Sequence, residues 1–197
     1  MKLKQLAAAA ALAAGALVSS HASAVILSGY TSGPGNTVDD FSAAGLVPFD
    51  LNLAKLSSTT IDFIIESADL GGPLDFNAIV NNLFGAGISN VRLVLDNASF
   101  AAIGSVGGGG FGSSPSASGA GNLAWIDFDS PEFNFFSIGN PFGLGATDWS
   151  IDVSTLSAGD SFSISFAIPE PGSVPLVLAG IGIAAWLSRR GTKHGQQ

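Results

Sequence analysis

An all-β fold is predicted for the middle of this 197-residue chain, an antiparallel two-sheet β-sandwich of jelly-roll or immunoglobulin-like kind with one short helix. Two observations predict it. Several segments alternate apolar and polar residues with period two, the mark of strands with one wet face. Gly, Asn, Asp and Ser separate them at the spacing of hairpin turns. There is no cysteine, so a packed core rather than disulfides must hold the chain.

The elements follow in order. Residues 59–66 put Ile61, Phe63 and Ile65 on one face, and 91–96 do the same with Val91, Leu93 and Leu95. Residues 148–153 place Trp149, Ile151 and Val153 inside, and 161–168 hold four apolar residues at strict period two. Further strands are read at 37–42, 46–53, 98–103, 123–129 and 132–138. Turns are read at Asp96-Asn97, between two paired strands, at Ser130-Pro131 and at 156–160. Residues 75–85 differ: Phe76, Ile79, Val80, Leu83 and Phe84 have helical spacing, with Asp75 and Gly85 as caps. A short helix is expected there, covering an end or edge of the sheet. Residues 104–121 hold eight Gly and five Ser, and a mobile loop is expected. Gly107, Gly109 and Gly112 match G-x-G-x-x-G formally, but no helix follows and no Lys is near, so a nucleotide site is rejected.

Two terminal segments flank this domain of residues 25–168. Lys2 and Lys4 precede an Ala/Leu run at 6–18, and Ala22-Ser23-Ala24 is a small-x-small site for signal peptidase. Residues 1–24 therefore read as a signal peptide, with Val25 the first mature residue; an uncleaved first membrane anchor is the alternative. The far end runs Pro169-Glu170-Pro171, an uncharged stretch at 174–187, then Arg189-Arg190. The prolines make a stiff extended peptide, and the arginines end the apolar run as cytoplasmic charge ends a membrane segment. As a helix, 173–188 is about 24 Å long at ~1.5 Å per residue, against a hydrocarbon core of ~30 Å. It spans by local thinning or by snorkelling of the arginines. A buried C-terminal helix of a soluble domain is the alternative.

These C-terminal residues resemble the PEP-CTERM sorting signal of Gram-negative bacteria, with Pro169-Glu170-Pro171 as its box, 173–188 as its transmembrane helix and Arg189-Arg190 as its basic cluster. The resemblance implies processing by an exosortase, a membrane cysteine protease-transpeptidase. It also implies a transient stay in the inner membrane and a host that makes exopolysaccharide.

Charge excludes some functions for the middle domain. Fourteen of the chain's 15 carboxylates lie in 25–168, against Lys55 and Arg92, a formal −12. Such a surface has no cationic footprint for nucleic acid. His21 and His194 lie in the terminal segments, so the domain has neither His nor Cys. Ser-His-Asp and Cys-His nucleophiles and the usual zinc sites are thereby excluded. Carboxylates remain. Asp127, Asp129 and Glu132 are read as solvent-facing residues. Their alternative is a pair for glycoside hydrolysis, which needs two carboxyls at ~5–9 Å. Asp127 with Asp129, or Asp39 with Asp40, could hold calcium, which takes oxygen ligands. Trp149 reads as core. Trp125 is out of phase with Ile126 and Phe128 and reads as lying on the other sheet face, packed under the Gly-rich loop or stacked on a sugar.

The leading expectation is an exported, non-enzymatic surface or extracellular-matrix protein with a structural or adhesive role in exopolysaccharide or biofilm, needing no cofactor. A carbohydrate- or calcium-binding module is second. A carboxylate-dependent glycosidase using Glu66, Glu132 or Asp129 is third.

Overall fold

A computed structural model gives the structure of residues 24–109 and 112–169. Thirteen strands appear among the described residues. They are β1 (Ile26–Thr31), β2 (Thr37–Asp40), β3 (Leu46–Leu53), β4 (Thr59–Ile64), β5 (Leu74–Asn82), β6 (Ile88–Asp96), β7 (Ser99–Ala102), β8 (Val106–Gly108), β9 (Pro115–Ala120), β10 (Leu123–Glu132), β11 (Phe135–Ile138), β12 (Trp149–Asp152) and β13 (Ser161–Ala167). The first sheet is antiparallel throughout, in the order β1-β4-β13-β6-β10-β9. The second runs β2-β3-β5-β11-β8, with β12 pairing both β5 and β7. One pair departs from the antiparallel expectation: β3 and β5 are parallel, because the chain between them passes through β4 in the other sheet.

Period-two burial makes the core. β3 and β4 alternate buried and half-buried residues along their whole length. Aromatic rings join the two sheets. Phe49 of β3 lies 6.1 Å from Phe63 and 5.9 Å from Phe166 of the first sheet, centroid to centroid. Phe128 of β10 meets Phe136 of β11 at 5.2 Å. Such tilted and edge-on contacts are the favoured aromatic geometries. Trp149 is fully buried, between Phe76 and Phe100, and its indole N–H donates to the Ser105 carbonyl at 2.9 Å. Trp125 faces outward from the first sheet, opposite Arg92 on β6 and Ser118 on β9, as its phase predicts.

Four expectations are corrected. Residues 75–85 are no helix: β5 covers Leu74–Asn82, with Leu74, Phe76, Ala78, Val80 and Asn82 inward. The helical spacing arose because Ile79 lies on the outer face while Leu83 and Phe84 follow the strand in a loop. The stretch 104–121 is no featureless loop. It contributes β8 to an edge of the second sheet and β9 to an edge of the first. Glycine here lets bare backbone pack where no Cβ fits: one on Gly109 would stand 2.6 Å from the Phe135 carbonyl oxygen. Ser130-Pro131 is not a turn between strands but an irregularity inside β10, where the register with β6 shifts between Asp127 and Glu132. Asp96-Asn97 does turn the chain, with Asn97 at φ 60°, but the strands it joins belong to different sheets. The loop at 156–160 forms as expected, closed by Ser157 N–H donating to the Asp160 carboxylate at 2.9 Å.

Pairing fixes where the two ends leave the sandwich. β1 and β13 are both antiparallel to β4, and Ile26 and Ser161 both face Ile64. Both strands therefore start at one end, called distal below. β13 finishes at the opposite end, called the exit end, where Phe166 faces Thr59 and Ala167 faces Arg92. Seven residues of strand, about 20 Å at ~3.4 Å each, separate the two ends along β13. Among the described residues, no helix is long and apolar enough to cross a membrane. The predicted helix at 173–188 and most of the signal peptide lie outside the described residues.

Candidate functional site

The exit end is built from loops that three buried polar side chains fasten together. Asn36 ties 32–36 to 54–58: its amide donates to Ser32 Oγ at 3.0 Å and Ser57 Oγ at 3.1 Å, and its carbonyl accepts the Lys55 N–H at 2.9 Å. Asn82 shapes the next loop, donating to the Ala86 carbonyl at 2.7 Å and the Glu132 carbonyl at 3.1 Å. Glu132 gathers a third group. Its carboxylate accepts from Ser113 Oγ at 2.5 Å, Gly109 N–H at 3.0 Å and Asn134 N–H at 2.9 Å. Burial pushes this carboxyl's pKa up, but the hydrogen bonds from Ser113, Asn134, Gly109 and Phe133 outweigh it, and the net pKa lies below the ordinary value. Among the described residues no buried side-chain polar atom lacks a partner. Rigid loops of this kind display what they carry, as binding loops on a fixed scaffold do.

What they carry is apolar and basic. Leu83 is 66% exposed, Phe84 50% and Phe133 53%. The two loops bearing them are fastened by Asn82 N–H donating to the Asn134 carbonyl at 2.6 Å, and Phe133 lies over Gly87. Lys55 stands in the adjoining 54–58 loop, and Arg92 pairs with Ala167 where β13 ends. Both cations of the domain are therefore at this end.

The carboxylates singled out in the sequence scatter. Asp127 and Asp129 are exposed on the outer face of β10, and Asp129 accepts from the Ser114 N–H at 2.7 Å and the Ser130 N–H at 2.8 Å. Glu132 is not solvent-facing as expected; it is buried in the loop network just described. Glu66 lies at the distal end in a 3₁₀ turn, where its N–H donates to Asp69 at 2.9 Å. Glu66 and Glu132 therefore lie at opposite ends of the sandwich. Among the described residues no three His, Cys, Asp or Glu side chains converge on a metal position. Asp39, one of the calcium candidates, stands directly opposite Asp50 on β3. Burial and then the Asp39 charge push the Asp50 carboxyl up.

The distal end holds an open polar cleft of about 410 Å³, lined by Asp96, Asn97, Ser99, Asn122, Asp152 and Thr155 among others. A second depression of about 240 Å³ adjoins it across Asp152 and Leu156. Hydrogen bonds from the Ser154 hydroxyl and N–H hold the Asp152 carboxyl below its ordinary pKa, so it is charged at neutral pH. Sequence reading missed this cleft, because its residues come from the end of β6, the start of β7, the β9–β10 turn, the end of β12 and the β12–β13 loop and share no local pattern.

Pro169 is the last described residue, exposed just beyond the exit end of β13. Glu170, Pro171, Arg189 and Arg190 lie outside the described residues, as does Ala22; Ala24 begins them, next to the buried Val25. The chain carries a PEP-CTERM protein-sorting motif, matched by a family model at residues 167–191. This match contains the Pro-Glu-Pro box, the apolar run and the arginine pair, and it starts on the final residue of β13. The motif implies export, sorting to the cell surface and an exosortase as processing partner. Comparison with curated proteins and with solved structures returned no match.

Proposed function

We propose, with that motif as premise, that this protein is a non-enzymatic surface or matrix component, held in the inner membrane by 173–188 until an exosortase acts near Pro169-Glu170-Pro171. Its role is structural or adhesive within an exopolysaccharide or biofilm. One observation carries the reading: the sorting motif follows directly on β13, a central strand of the first sheet, with no linker domain between. The sandwich therefore stands on the bilayer by its exit end and turns its distal end outward. Most of the fourteen carboxylates lie away from the exit end, leaving an acidic, hydrated outer surface suited to a polysaccharide gel. Replacing Pro169, Glu170 and Pro171 with alanine tests the sorting step. Accumulation of the full-length chain in the membrane fraction is expected, and undiminished extracellular delivery would reject it.

The distal cleft favours a second reading, a carbohydrate- or calcium-binding module. Asn97, Asn122, Ser99 and Thr155 offer hydroxyl and amide partners for sugar, and Asp96 and Asp152 offer carboxylate oxygens for calcium. Titration calorimetry of the purified chain with Ca²⁺ and with host polysaccharide decides between the two. Binding heat that Asp152→Asn abolishes supports the module; no heat leaves the structural role.

A further inference from the structure

We infer that the exit end of the sandwich is a second membrane contact, an apolar and basic tip that rests in the headgroup region of the bilayer while the protein is anchored. This rests on the membrane-anchor reading of 173–188 and adds to it. The first argument is reach. Four residues, 170–173, separate Pro169 from Val174 at the start of the apolar run. Five Cα steps span at most about 18 Å, at ~3.6 Å each. The prolines stiffen this peptide, so the exit end is held against the membrane surface rather than swung on a long tether.

The second argument is what faces the bilayer there. Leu83, Phe84 and Phe133 are three of the ten large apolar side chains exposed on the described surface, and all three sit on the loops that close this end. Asn82 holds its loop by accepting the Phe84 N–H and donating to the Ala86 carbonyl. Presenting Leu and Phe on a constrained loop suits insertion at a headgroup boundary, because no ordering entropy is left to lose.

Charge is the third argument. The domain is acidic, yet its two cations, Lys55 and Arg92, are at the end nearest the lipid. Five acids lie at or near this end: Glu132, buried and fully hydrogen-bonded; Asp129, tied to the Ser114 and Ser130 N–H groups; Asp127, exposed on the outer face of β10; and the facing pair Asp39 and Asp50, with Asp39 accepting from the Asn52 amide. None of them is on the two loops carrying Leu83, Phe84 and Lys55. Long cationic side chains beside apolar ones match an interface where tails and phosphates meet.

The chain lacks cysteine, so a single introduced thiol takes a label cleanly. The full chain is reconstituted into vesicles of phosphatidylcholine with phosphatidylglycerol, labelled with an environment-sensitive fluorophore at Phe84→Cys, Leu178→Cys or Ser157→Cys. Leu83→Cys serves should the Phe84 variant misfold. Lipids carrying a headgroup quencher are then added. The expected result is a blue shift and loss of emission at 84 and a deep apolar spectrum at 178. The distal position 157 should stay water-like and unquenched. A deep label at 178 with a water-like label at 84 overturns the tip and leaves the anchor standing. A label at 84 shielded from aqueous iodide but untouched by the lipid quencher also overturns it, in favour of a protein partner. A water-like label at 178 removes the anchor, and the tip with it.

Discussion

Glu132 shows how one side chain can organise a surface that its neighbours cannot. Three donors meet on its carboxylate, the Gly109 N–H and Ser113 hydroxyl from across the fold and the Asn134 N–H from its own loop. Glu132→Gln turns one oxygen into a donor that faces another donor, and a loss of about 2 kcal/mol is expected for a charge-assisted network of this kind. The sign with pH follows from the lowered pKa. A depressed carboxyl stabilises the fold above its unfolded-state pKa, and that contribution fades as pH falls through the folded value. Denaturant curves should therefore separate wild type and variant at pH 7 and converge well below the ordinary 4.5. Asp50 is the opposite case. Its pKa is raised, by burial first and by Asp39 second, so its ionisation at neutral pH works against the fold. Asp50→Asn should raise the melting temperature at pH 7, and the gain should vanish in acid, where Asp50 is protonated. Sequence reading placed Trp149 and Trp125 on the correct sides, because strand phase decides that locally. It read Glu132 as solvent-facing, because burial there depends on Gly109 and Ser113, which no residue near Glu132 in the chain announces.

At the scale of elements, β5 is the strand on which the second sheet turns. β3 runs beside it for its whole length, while β12 and β11 divide its other edge. Ala78 sits mid-strand, opposite Phe49 on one side and Ile138 on the other. Ala78→Pro removes a backbone donor from an interior strand, where proline is essentially excluded. Loss of soluble, folded protein is the expected outcome, read by circular dichroism. Phe49→Ala tests the contact between sheets rather than the ladder. Phe49 touches Phe63, Phe76 and Phe166, and a cost of about 3–5 kcal/mol is expected from the cavity left behind. The helix predicted at 75–85 fails for a definite reason. Spacing counts apolar residues without regard to which belong to a strand and which to the loop beyond it. Leu83 and Phe84 supplied the helical period, and they are loop residues presented to the outside.

For the molecule as a whole, the route of the chain matters more than any element. It crosses between the two sheets eight times from β1 to β13, so neither sheet can assemble without the other. A single cooperative transition is expected, with the calorimetric enthalpy equal to the van't Hoff value. The same route sets the polarity of the molecule. Entry at the distal end and departure at the other keep the cleft and the sorting segment apart.

By itself the sequence determined the class of fold and the address. Strand phase is a local property, and so are a charged pair after a greasy run and an absence of histidine and cysteine. Pairing partners are not local. Only the tertiary structure decided that β3 and β5 lie parallel, that the Gly-rich stretch is sheet edge, and that Leu83, Phe84, Phe133, Lys55 and Arg92 share one end. Each of those depends on backbone hydrogen bonds between residues far apart in the chain, and the hydrophobic pattern constrains the face a side chain takes, not the strand it sits beside.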